Sequence, residues 1–337
     1  VEYAKSFASS FHPPLEGGSN CRRQFGAGAL TCVIEPAIEY IRGGSATPPR
    51  NSLRKFRPSL KGRVAERNRR DARVHILRHL PYDPPMLLHH SSWPEIEAYL
   101  AKSKGIVIPI GSTEQHGPNG LIGTDAICPE AIAHRAGAEA GFLVGPTFNV
   151  GIAQHHLGFP GTMTLRPSTM IAAIHDWVAS LARHGFERVY FFNGHGGNVS
   201  VMDIVARDLR AQYGLLTAHT SWYALSGQEG ALDAQELIHG IHGGQMETSA
   251  MLAAHPDRVK MAKAQDFPSK GADWAKTHSH VGVGGKPVKL GWLMGDLNKD
   301  GAAGNAKAAS AEIGETLLTT AATRFAEFLS EFDAMDG

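Results

Sequence analysis

Four short apolar runs, separated by stretches with helical periodicity, constrain the fold of this chain more than any other feature. Each run is too short and too continuously apolar to be an amphipathic helix, so each predicts a buried strand. The runs occupy residues 105–110, 142–150, 188–192 and 215–221. The helical stretches occupy residues 93–102, 128–140, 168–183, 199–213 and 305–332. Alternating strands and helices predict an α/β fold with a mostly parallel sheet that is flanked by helices on both faces.

Two loops that follow predicted strands carry side chains suited to chemistry. Residues 108–125 read IPIGSTEQHGPNGLIGTD, so the first strand leads into a loop with Glu114, His116 and Asp125. The third strand leads into NGHGGN, which contains His195. Because ligands of parallel sheets bind beyond the carboxyl ends of the strands, we expect both loops to open at the same edge.

The residue types in these loops indicate a metal site. Carboxylate oxygens suit hard divalent ions, and imidazole nitrogens suit zinc, manganese and iron. Glu247 adds a fifth candidate ligand, in the first turn of a helix that follows Gly243 and Gly244. Five such ligands are enough for two divalent ions that share one bridging carboxylate and keep open positions for water. Two neighbouring ions activate water and polarise a carbonyl group, so hydrolysis is the expected use.

Each of these residues also has a plainer interpretation. Glu114 and His116 fit a solvated polar loop at a strand end. His195 fits a turn or a helix cap, and Glu247 fits a carboxylate favoured by the dipole of a helix N-terminus. The glycine-rich segment around His195 is also compatible with a phosphate-binding loop of a nucleotide-binding protein, but it lacks the lysine and the full glycine spacing of such loops.

Composition and charge restrict the compartment and the partners. The 337 residues include three cysteines without C-x-x-C spacing, which cannot form a disulfide framework and suit a reducing cytoplasm. The sequence contains no run of about 18 apolar residues, so we expect no membrane-spanning helix. The formal net charge of +1 argues against general nucleic-acid binding. We therefore expect a cytoplasmic protein that acts on a small molecule, with neither nucleic acid nor membrane as a partner.

The first 85 residues differ in composition from the rest. They hold 15 Lys or Arg and 7 Asp or Glu, whereas residues 86–337 hold 18 and 25. Their Pro-Pro, Gly-Gly and Arg clusters show little periodicity, which predicts a disordered basic extension. A nucleic-acid-binding arm, a targeting peptide and a regulatory tail are three interpretations. Because the first methionine is Met86, where the periodic sequence starts, we favour the hypothesis that residues 1–85 reflect a start site placed too early.

The sequence after this extension carries four motifs in a fixed order. They read GSTEQHGPNGLIGTD, HLGFPGT, NGHGGN and HGGQMETSAML. In this order and spacing they resemble the creatininase (creatinine amidohydrolase) family, over about residues 93–318. The resemblance implies that residues 86–337 form a single α/β domain that binds two divalent metal ions, zinc or manganese, with iron as a further option. It also implies assembly into a homo-oligomer, of which a hexamer is one form.

The resemblance assigns roles position by position. Its metal ligands correspond here to Glu114, His116, Asp125 and His195. Asp125 corresponds to the bridging carboxylate. Creatininase itself has a glutamate two residues after the histidine of the third motif, where this chain has Gly197. The resemblance therefore implies Glu247 as the fifth ligand, and His242 corresponds to the histidine that acts as general acid or base.

These assignments predict a dinuclear-metal-dependent amidohydrolase that cleaves a C–N bond of a small cyclic amide or formamide. We expect a hydroxide held between the metals to attack the carbonyl carbon and His242 to move the proton to the leaving nitrogen. Because Gly196 and Gly197 depart from creatininase, an activated cyclic ketone, cleaved at a C–C bond, is an alternative substrate. A non-catalytic metal-binding or small-ligand-binding protein on this scaffold is a second alternative.

Three further parts of the chain are candidates for binding substrate or closing the site. The loop at residues 151–164 carries His155 and His156, of which we take His156 as a substrate-binding candidate. Trp222 follows the fourth predicted strand, so it either contacts substrate or packs in the core. Residues 265–304 are rich in Gly, Lys and Asp and predict a partly irregular excursion that forms a lid or a subunit contact.

Overall fold

The structure, a computed structural model, describes residues 85–336. The basic extension predicted for residues 1–85 therefore lies outside the described residues, apart from Pro85. None of the helices in the described part of the chain is both long enough and apolar enough to cross a membrane.

Three parallel strands form the centre of the fold. They are β1 (Gly105–Ile110), β2 (Arg188–Asn193) and β3 (Leu216–Ser221), in the order β1-β2-β3. The register pairs Ile106 with Val189, and the amide and carbonyl groups of β2 bond to strands on both sides. The parallel sheet expected from the alternating pattern is therefore confirmed.

The predicted strand at residues 142–150 forms only two isolated parallel bridges with the free edge of β1. Val144 pairs with Val107, and Phe148 pairs with Ile110. Between these bridges lie Gly145 and Pro146, and proline has no N–H to donate to a ladder. This segment extends the sheet beyond β1, but the prediction that residues 142–150 form a regular strand is wrong.

Helices alternate with the strands, as the pattern predicts. The helices of the described residues are α1 (Trp93–Leu100), α2 (Thr124–Ala140), α3 (Pro167–Arg183), α4 (Val199–Tyr213), α5 (Ala234–His239), α6 (Gln245–Ala254), α7 (Lys270–Thr277), α8 (Met294–Leu297) and α9 (Ala311–Ala334). The observed α4 has the predicted bounds. The observed α2 begins at Thr124 rather than at residue 128, so Asp125 lies in its first turn instead of in the preceding loop.

The sheet is buried on both faces because successive residues of a strand point to opposite sides. Ile106, Ile108 and Ile110 of β1 pack in one core cluster with residues of α1, α3 and α4. Val107 packs in a second cluster with residues of α2, α6 and α9, where Phe192 of β2 stacks on Phe325 at a centroid distance of 4.0 Å. The chain therefore has the predicted three-layer α/β/α architecture.

The segment between α6 and α9 leaves the sheet and returns to its starting point. Strand β4 (Asp266–Phe267) pairs antiparallel with β7 (Gly304–Asn305) at the base of this excursion. Between them lie α7, α8 and a small pair formed by β5 (Val281–Gly282) and β6 (Val288–Lys289). The excursion predicted for residues 265–304 thus has fixed ends, and it carries Trp292 back towards the carboxyl edge of the sheet.

A close contact between two backbone segments explains why position 194, next to the predicted ligand His195, is a glycine. The loop after β2 passes directly against the first turn of α2. A Cβ atom at Gly194 would overlap the carbonyl oxygen of Asp125 and contact Pro129. Only glycine lets these two backbones meet, and their contact brings His195 and Asp125 together.

Candidate metal centre

The five predicted ligands converge at the carboxyl edge of the sheet. Each comes from a loop or a helix N-terminus on this side, and they are Glu114, His116, Asp125, His195 and Glu247. The first four are buried, and the side chain of Glu247 keeps a relative exposure of 16%. The solvated-loop interpretation of Glu114 and His116 is therefore wrong, because neither side chain reaches solvent.

The ligand atoms form two groups that meet at Asp125. In one group, His195 Nδ1 lies 3.2 Å from Glu114 Oε1 and 3.4 Å from Asp125 Oδ2. In the other group, His116 Nε2 lies 3.3 Å from Asp125 Oδ1 and 3.7 Å from Glu247 Oε2. The two carboxylate oxygens of Asp125 therefore face two different imidazole–carboxylate pairs.

Several of these ligand atoms have no hydrogen-bond partner among the described residues. They are Glu114 Oε1, His116 Nε2 and Asp125 Oδ2, and all three are buried. Leaving a buried polar atom without a partner costs about 1–3 kcal/mol, and more for a charged group. Bound divalent cations would satisfy these three atoms, so the residues present fit a metal site.

The two ligand histidines are oriented by backbone carbonyl groups. The Nδ1–H of His116 donates to the carbonyl oxygen of Glu114 at 3.1 Å. The Nε2–H of His195 donates to the carbonyl oxygen of Ile152 at 3.0 Å. In each ring the other nitrogen faces the carboxylates. This is the arrangement by which proteins orient histidines that bind metals.

Two of the carboxylates are also held in place. The hydroxyl of Ser112 donates to Glu114 Oε2 at 2.9 Å, which leaves Oε1 directed at the histidines. The main-chain N–H of Gly243 donates to Glu247 Oε2 at 2.6 Å. The glycine pair before α6 therefore positions a ligand as well as beginning a helix.

The close packing of carboxylates shifts the pKa values of the side chains in this cluster. Burial and the neighbouring Glu114 carboxylate raise the pKa of Asp125 to about 7. Burial alone would lower the pKa of His195, but the Glu114 carboxylate outweighs it and raises the pKa to about 9. In the metal-free protein protons therefore offset part of the negative charge of the cluster. A bound divalent cation would take over this role.

The predicted general acid or base lies against the same cluster. The ring of His242 is 4.3 Å from the ring of His116, and its Nδ1 is 3.8 Å from Glu114 Oε1. Burial, together with the positive charge of His116, lowers the pKa of His242 to about 4. His242 is therefore a neutral imidazole with one nitrogen directed at the candidate ligands.

A cavity of about 300 Å³ opens onto these groups. Its polar wall includes Glu114, Asp125, His195, His242 and Glu247. The lining also includes larger and mostly apolar side chains, namely Tyr223, Leu237, Ile241, Met246 and Trp292. The site therefore combines a buried acidic and imidazole-rich floor with a mainly apolar chamber.

The structure places the two predicted substrate-binding residues differently. His156 is buried and lines the cavity, with its Nε2 3.4 Å from Glu114 Oε1. Trp222 does not line it, because its side chain is 1% exposed and fills the core beneath α2 and α9. The prediction that Trp222 contacts substrate is therefore wrong, and its alternative, packing in the core, is the one observed. The adjacent Tyr223 lines the cavity instead.

One residue of the site, Gln115, escaped the sequence reasoning, and another, Trp292, was expected only as part of an excursion that forms a lid or a subunit contact. Gln115 lies between two ligands in the sequence, and its amide group contacts both His156 and His242. Trp292 meets the ring of His155 edge-on at a centroid distance of 5.0 Å. No local spacing could place Trp292 there, because it depends on the return path of the whole excursion.

Comparison with known proteins places these features in a family. The family model described as creatinine amidohydrolase matches residues 89–329. A creatinine amidohydrolase of Pseudomonas putida is 32% identical over 196 residues, covering 52% of this chain and 75% of that protein. A mycofactocin precursor peptide peptidase of Mycobacterium ulcerans is 29% identical over 216 residues, covering 59% and 77%. A 3-dehydro-scyllo-inosose hydrolase of Thermotoga maritima is 27% identical over 185 residues, covering 52% and 58%.

Solved structures agree in fold. A crystal structure of creatinine amidohydrolase (creatininase) superposes with a TM-score of 0.62 and 26% identity, covering 75% of this chain and 99% of that one. A manganese form of creatininase gives a TM-score of 0.61 and 27% identity, covering 74% and 100%. A mutant creatininase of the Zn–Zn type gives 0.61 and 25%, covering 75% and 100%. The family match, the relatives and the buried ligand cluster together show that this chain belongs to the creatininase family of metal-dependent hydrolases.

Proposed function

We propose that this protein uses two divalent metal ions to hydrolyse a carbon–nitrogen bond of a small cyclic amide or formamide. The observation that carries the proposal is the position of Asp125, whose two carboxylate oxygens face separate imidazole–carboxylate pairs at 3.3 and 3.4 Å. A carboxylate in this position is suited to bridge two ions. A site for one ion would need only one of these pairs.

The ligands divide between the two ions according to their neighbours. Glu114 and His195 would hold one ion with Asp125 Oδ2, and His116 and Glu247 would hold the other with Asp125 Oδ1. When bound, divalent ions supply Lewis acidity, which polarises a carbonyl group and makes water a better nucleophile. Zinc and manganese are the first candidates, since creatininase has been solved with each, and iron also suits this mixture of ligands.

His242 is suited to handle the proton of the reaction. It is neutral, its Nε2–H is engaged with the carbonyl oxygen of Gln115 at 2.6 Å, and its Nδ1 faces the cluster. We propose that Nδ1 takes up the proton released by the attacking water and passes it to the leaving nitrogen. General acid–base catalysis of this kind typically contributes 10²–10⁴-fold to a rate.

The cavity favours a compact and uncharged substrate. A volume of about 300 Å³ is at the small end of ligand pockets. Among the described residues, no Lys or Arg lines this cavity, so it holds no guanidinium or ammonium group that would pair with a carboxylate or a phosphate. The apolar wall formed by Leu237, Ile241 and Met246 fits the carbon skeleton of a small ring.

One observation favours a second candidate reaction. The similarity to a hydrolase of 3-dehydro-scyllo-inosose supports cleavage of a C–C bond next to a cyclic ketone at the same site. A non-catalytic role is less well supported, because each of the five candidate ligands lies within 4 Å of another, in two pairs around Asp125, and His242 lies beside them. We also propose that the protein assembles as a homo-oligomer, which light scattering of the purified full chain would test.

The direct test combines metal content with turnover. Metal-stripped protein should bind two equivalents of zinc or manganese, measured by calorimetry and elemental analysis. Each ion would be screened with creatinine, other cyclic amides, formamides and cyclic ketones. Replacement of the exposed His184 by Ala serves as a control and should change neither the stoichiometry nor the turnover. Binding of a single equivalent, or hydrolysis that survives complete removal of metal, would contradict the proposal.

A further inference from the structure

Four histidines have a ring nitrogen within 4 Å of a carboxylate oxygen of the candidate metal centre, and three of them share one pattern. His116, His195 and His242 each donate one ring N–H to a backbone carbonyl oxygen. Because a ring N–H is committed to the carbonyl, the other nitrogen of each ring faces the cluster and is available to a metal ion or a proton. Within the part of the chain that the structure describes, the fourth histidine, His156, has no carbonyl partner of this kind. Its Nδ1 instead meets the side-chain amide of Gln115 at 3.0 Å.

The orientation of the Gln115 amide follows from its other hydrogen bond. The main-chain N–H of Gly117 donates to Gln115 Oε1 at 2.9 Å. A donor at this position requires an oxygen opposite it, so the NH₂ group of the amide must be the end that faces His156. The Nδ1 atom of His156 is therefore an acceptor, and the proton of this neutral ring lies on Nε2.

Gln115 also determines the proton position on His242, through its backbone. His242 Nε2 lies 2.6 Å from the carbonyl oxygen of Gln115, a separation that requires a proton between the two atoms. The same nitrogen lies 3.2 Å from Gln115 Nε2. Since both nitrogens are then donors, this longer approach is a contact and not a hydrogen bond. His242 consequently presents a bare Nδ1.

We propose that Gln115 is a positioning residue that fixes opposite tautomers on two adjacent histidines, with His156 as an N–H donor and His242 as an acceptor. Their rings lie 4.2 Å apart, and both line the cavity. His156 Nε2 lies 3.4 Å from Glu114 Oε1, but the two atoms form no hydrogen bond, so the Nε2–H is left for the substrate. Glu114, His156 and His242 lie close enough together to hold an ion. With its proton held on Nε2 by Gln115, however, His156 would act as a donor beside the five ligands and would not be a sixth ligand.

The donor His156 and the acceptor His242 together restrict which chemical groups a substrate must have. This inference about the substrate rests on the proposed hydrolysis. The N–H of His156 can donate to a carbonyl oxygen as negative charge develops on it. The bare nitrogen of His242 can hold the proton needed by the leaving group. The site therefore suits a substrate that presents a carbonyl oxygen to His156 and the bond to be cleaved to His242. His156 would be a catalytic residue, because it contacts the reacting carbonyl group.

The tautomers can be measured without any knowledge of the substrate. Zinc-loaded full-length protein with ¹⁵N-labelled histidine would be studied by long-range ¹H–¹⁵N correlation spectroscopy, with His156 assigned by its absence in His156→Gln. We expect a protonated Nε2 and a bare Nδ1 on His156. In the isosteric variant Gln115→Glu, a carboxylate oxygen replaces the NH₂ group, so Nδ1 of His156 should gain a proton. In Gln115→Met the preference for Nε2 should disappear.

Matched controls separate this role from a general structural effect. Gln154→Met changes an exposed glutamine in the same turn as His156 and should leave the His156 signals unchanged. His156→Gln should keep the zinc stoichiometry of the wild type. A bare Nε2 in the wild type, His156 signals that are unchanged in both Gln115 variants, or a lost zinc equivalent in His156→Gln would each overturn the proposal.

Turnover provides a separate readout. With any substrate that the wild type hydrolyses, His156→Leu should lower kcat by about 100-fold with little change in KM, the scale expected for one lost oxyanion donor. His156→Gln retains an N–H donor and should recover part of this loss, and equal rates for the two variants would contradict the donor role. If the wild type hydrolyses nothing, the proposed function fails, while the spectra still decide the tautomers.

Discussion

The buried carboxylate of Glu236, in α5, accepts a hydrogen bond from the main-chain N–H of Gln245, the first residue of α6, at 2.6 Å. Its second oxygen accepts from the N–H of Asn305, in β7, at 2.8 Å. One side chain therefore joins the loop that carries His242 to the strand that closes the excursion. Because His242 and Glu247 lie on either side of Gln245, we expect this connection to help to position both side chains.

We expect Glu236→Gln to destabilise the protein by about 1–3 kcal/mol, because an amide has one oxygen and would turn its NH₂ group towards a buried N–H. Chemical denaturation monitored by circular dichroism would measure the loss. The exposed Glu229 lies in a nearby turn, and Glu229→Gln should have no effect. Equal stability of the two variants would show that the Glu236 hydrogen bonds contribute nothing.

Asp125→Ala should reduce the metal content from two equivalents to none or nearly none, because both pairs lose the oxygen that they share. Glu247→Gln touches only the pair with His116 and should remove one equivalent while the other stays bound. Elemental analysis of dialysed protein measures both outcomes. Retention of two equivalents by Asp125→Ala would refute the bridging assignment.

His242→Ala should leave both metal equivalents in place and lower kcat by about 10²–10⁴-fold, the range typical of a general acid–base group. The side chain contacts His116 without a hydrogen bond between the two rings, so its loss should not displace that ligand. Metal analysis and steady-state kinetics of the same preparation are required. Loss of a metal equivalent would make His242 a ligand.

Gly194→Ala should destabilise the protein by about 1–3 kcal/mol, as expected for overpacking, and weaken metal binding at His195. The new methyl group would force the loop after β2 away from the first turn of α2. Gly196 offers a matched control, since a Cβ atom there meets nothing within 4 Å. Gly196→Ala should therefore keep the wild-type stability and metal content.

Cys128 should resist thiol reagents in the folded protein. Its side chain is fully buried, and burial raises its pKa well above the usual range, so the reactive thiolate is scarce even at pH 9. In a variant with Cys21 and Cys32 replaced by Ser, labelling with a chromogenic disulfide at pH 8 should require denaturant. Rapid labelling of the native protein would show that α2 opens more readily than its packing indicates.

The apolar pattern predicted the layers of this fold, and the motifs indicated the five side chains that converge at the candidate metal centre. Apolar runs identified the three regular strands, and the motif order identified Glu114, Asp125 and Glu247 although they lie far apart in the chain. The sequence-based predictions were wrong where tertiary packing determines the local structure or the direction of a side chain. Pro146 interrupts an apolar run that looks like a strand. Trp222 packs in the core while Tyr223 lines the cavity, because only one of two successive side chains can face the core.

Gln115 shows a different limit. Nothing in the type or spacing of a glutamine between two ligands indicates its role. That role follows from the Gly117 N–H, which orients the amide, and from the meeting of three loops at His156 and His242. Such a residue can be found only once the hydrogen bonds are known atom by atom.

The antiparallel pairing of β4 with β7 has a consequence for how new substrate preferences arise in this family. The excursion leaves and re-enters the fold at adjacent positions, with Asp266 opposite Asn305. Its interior carries Trp292 into the chamber but contributes none of the five candidate ligands. We expect that residues 265–304 can differ between relatives without disturbing the rest of the fold. The shape of the substrate cavity could then change during evolution while the candidate metal ligands and His242 stay the same.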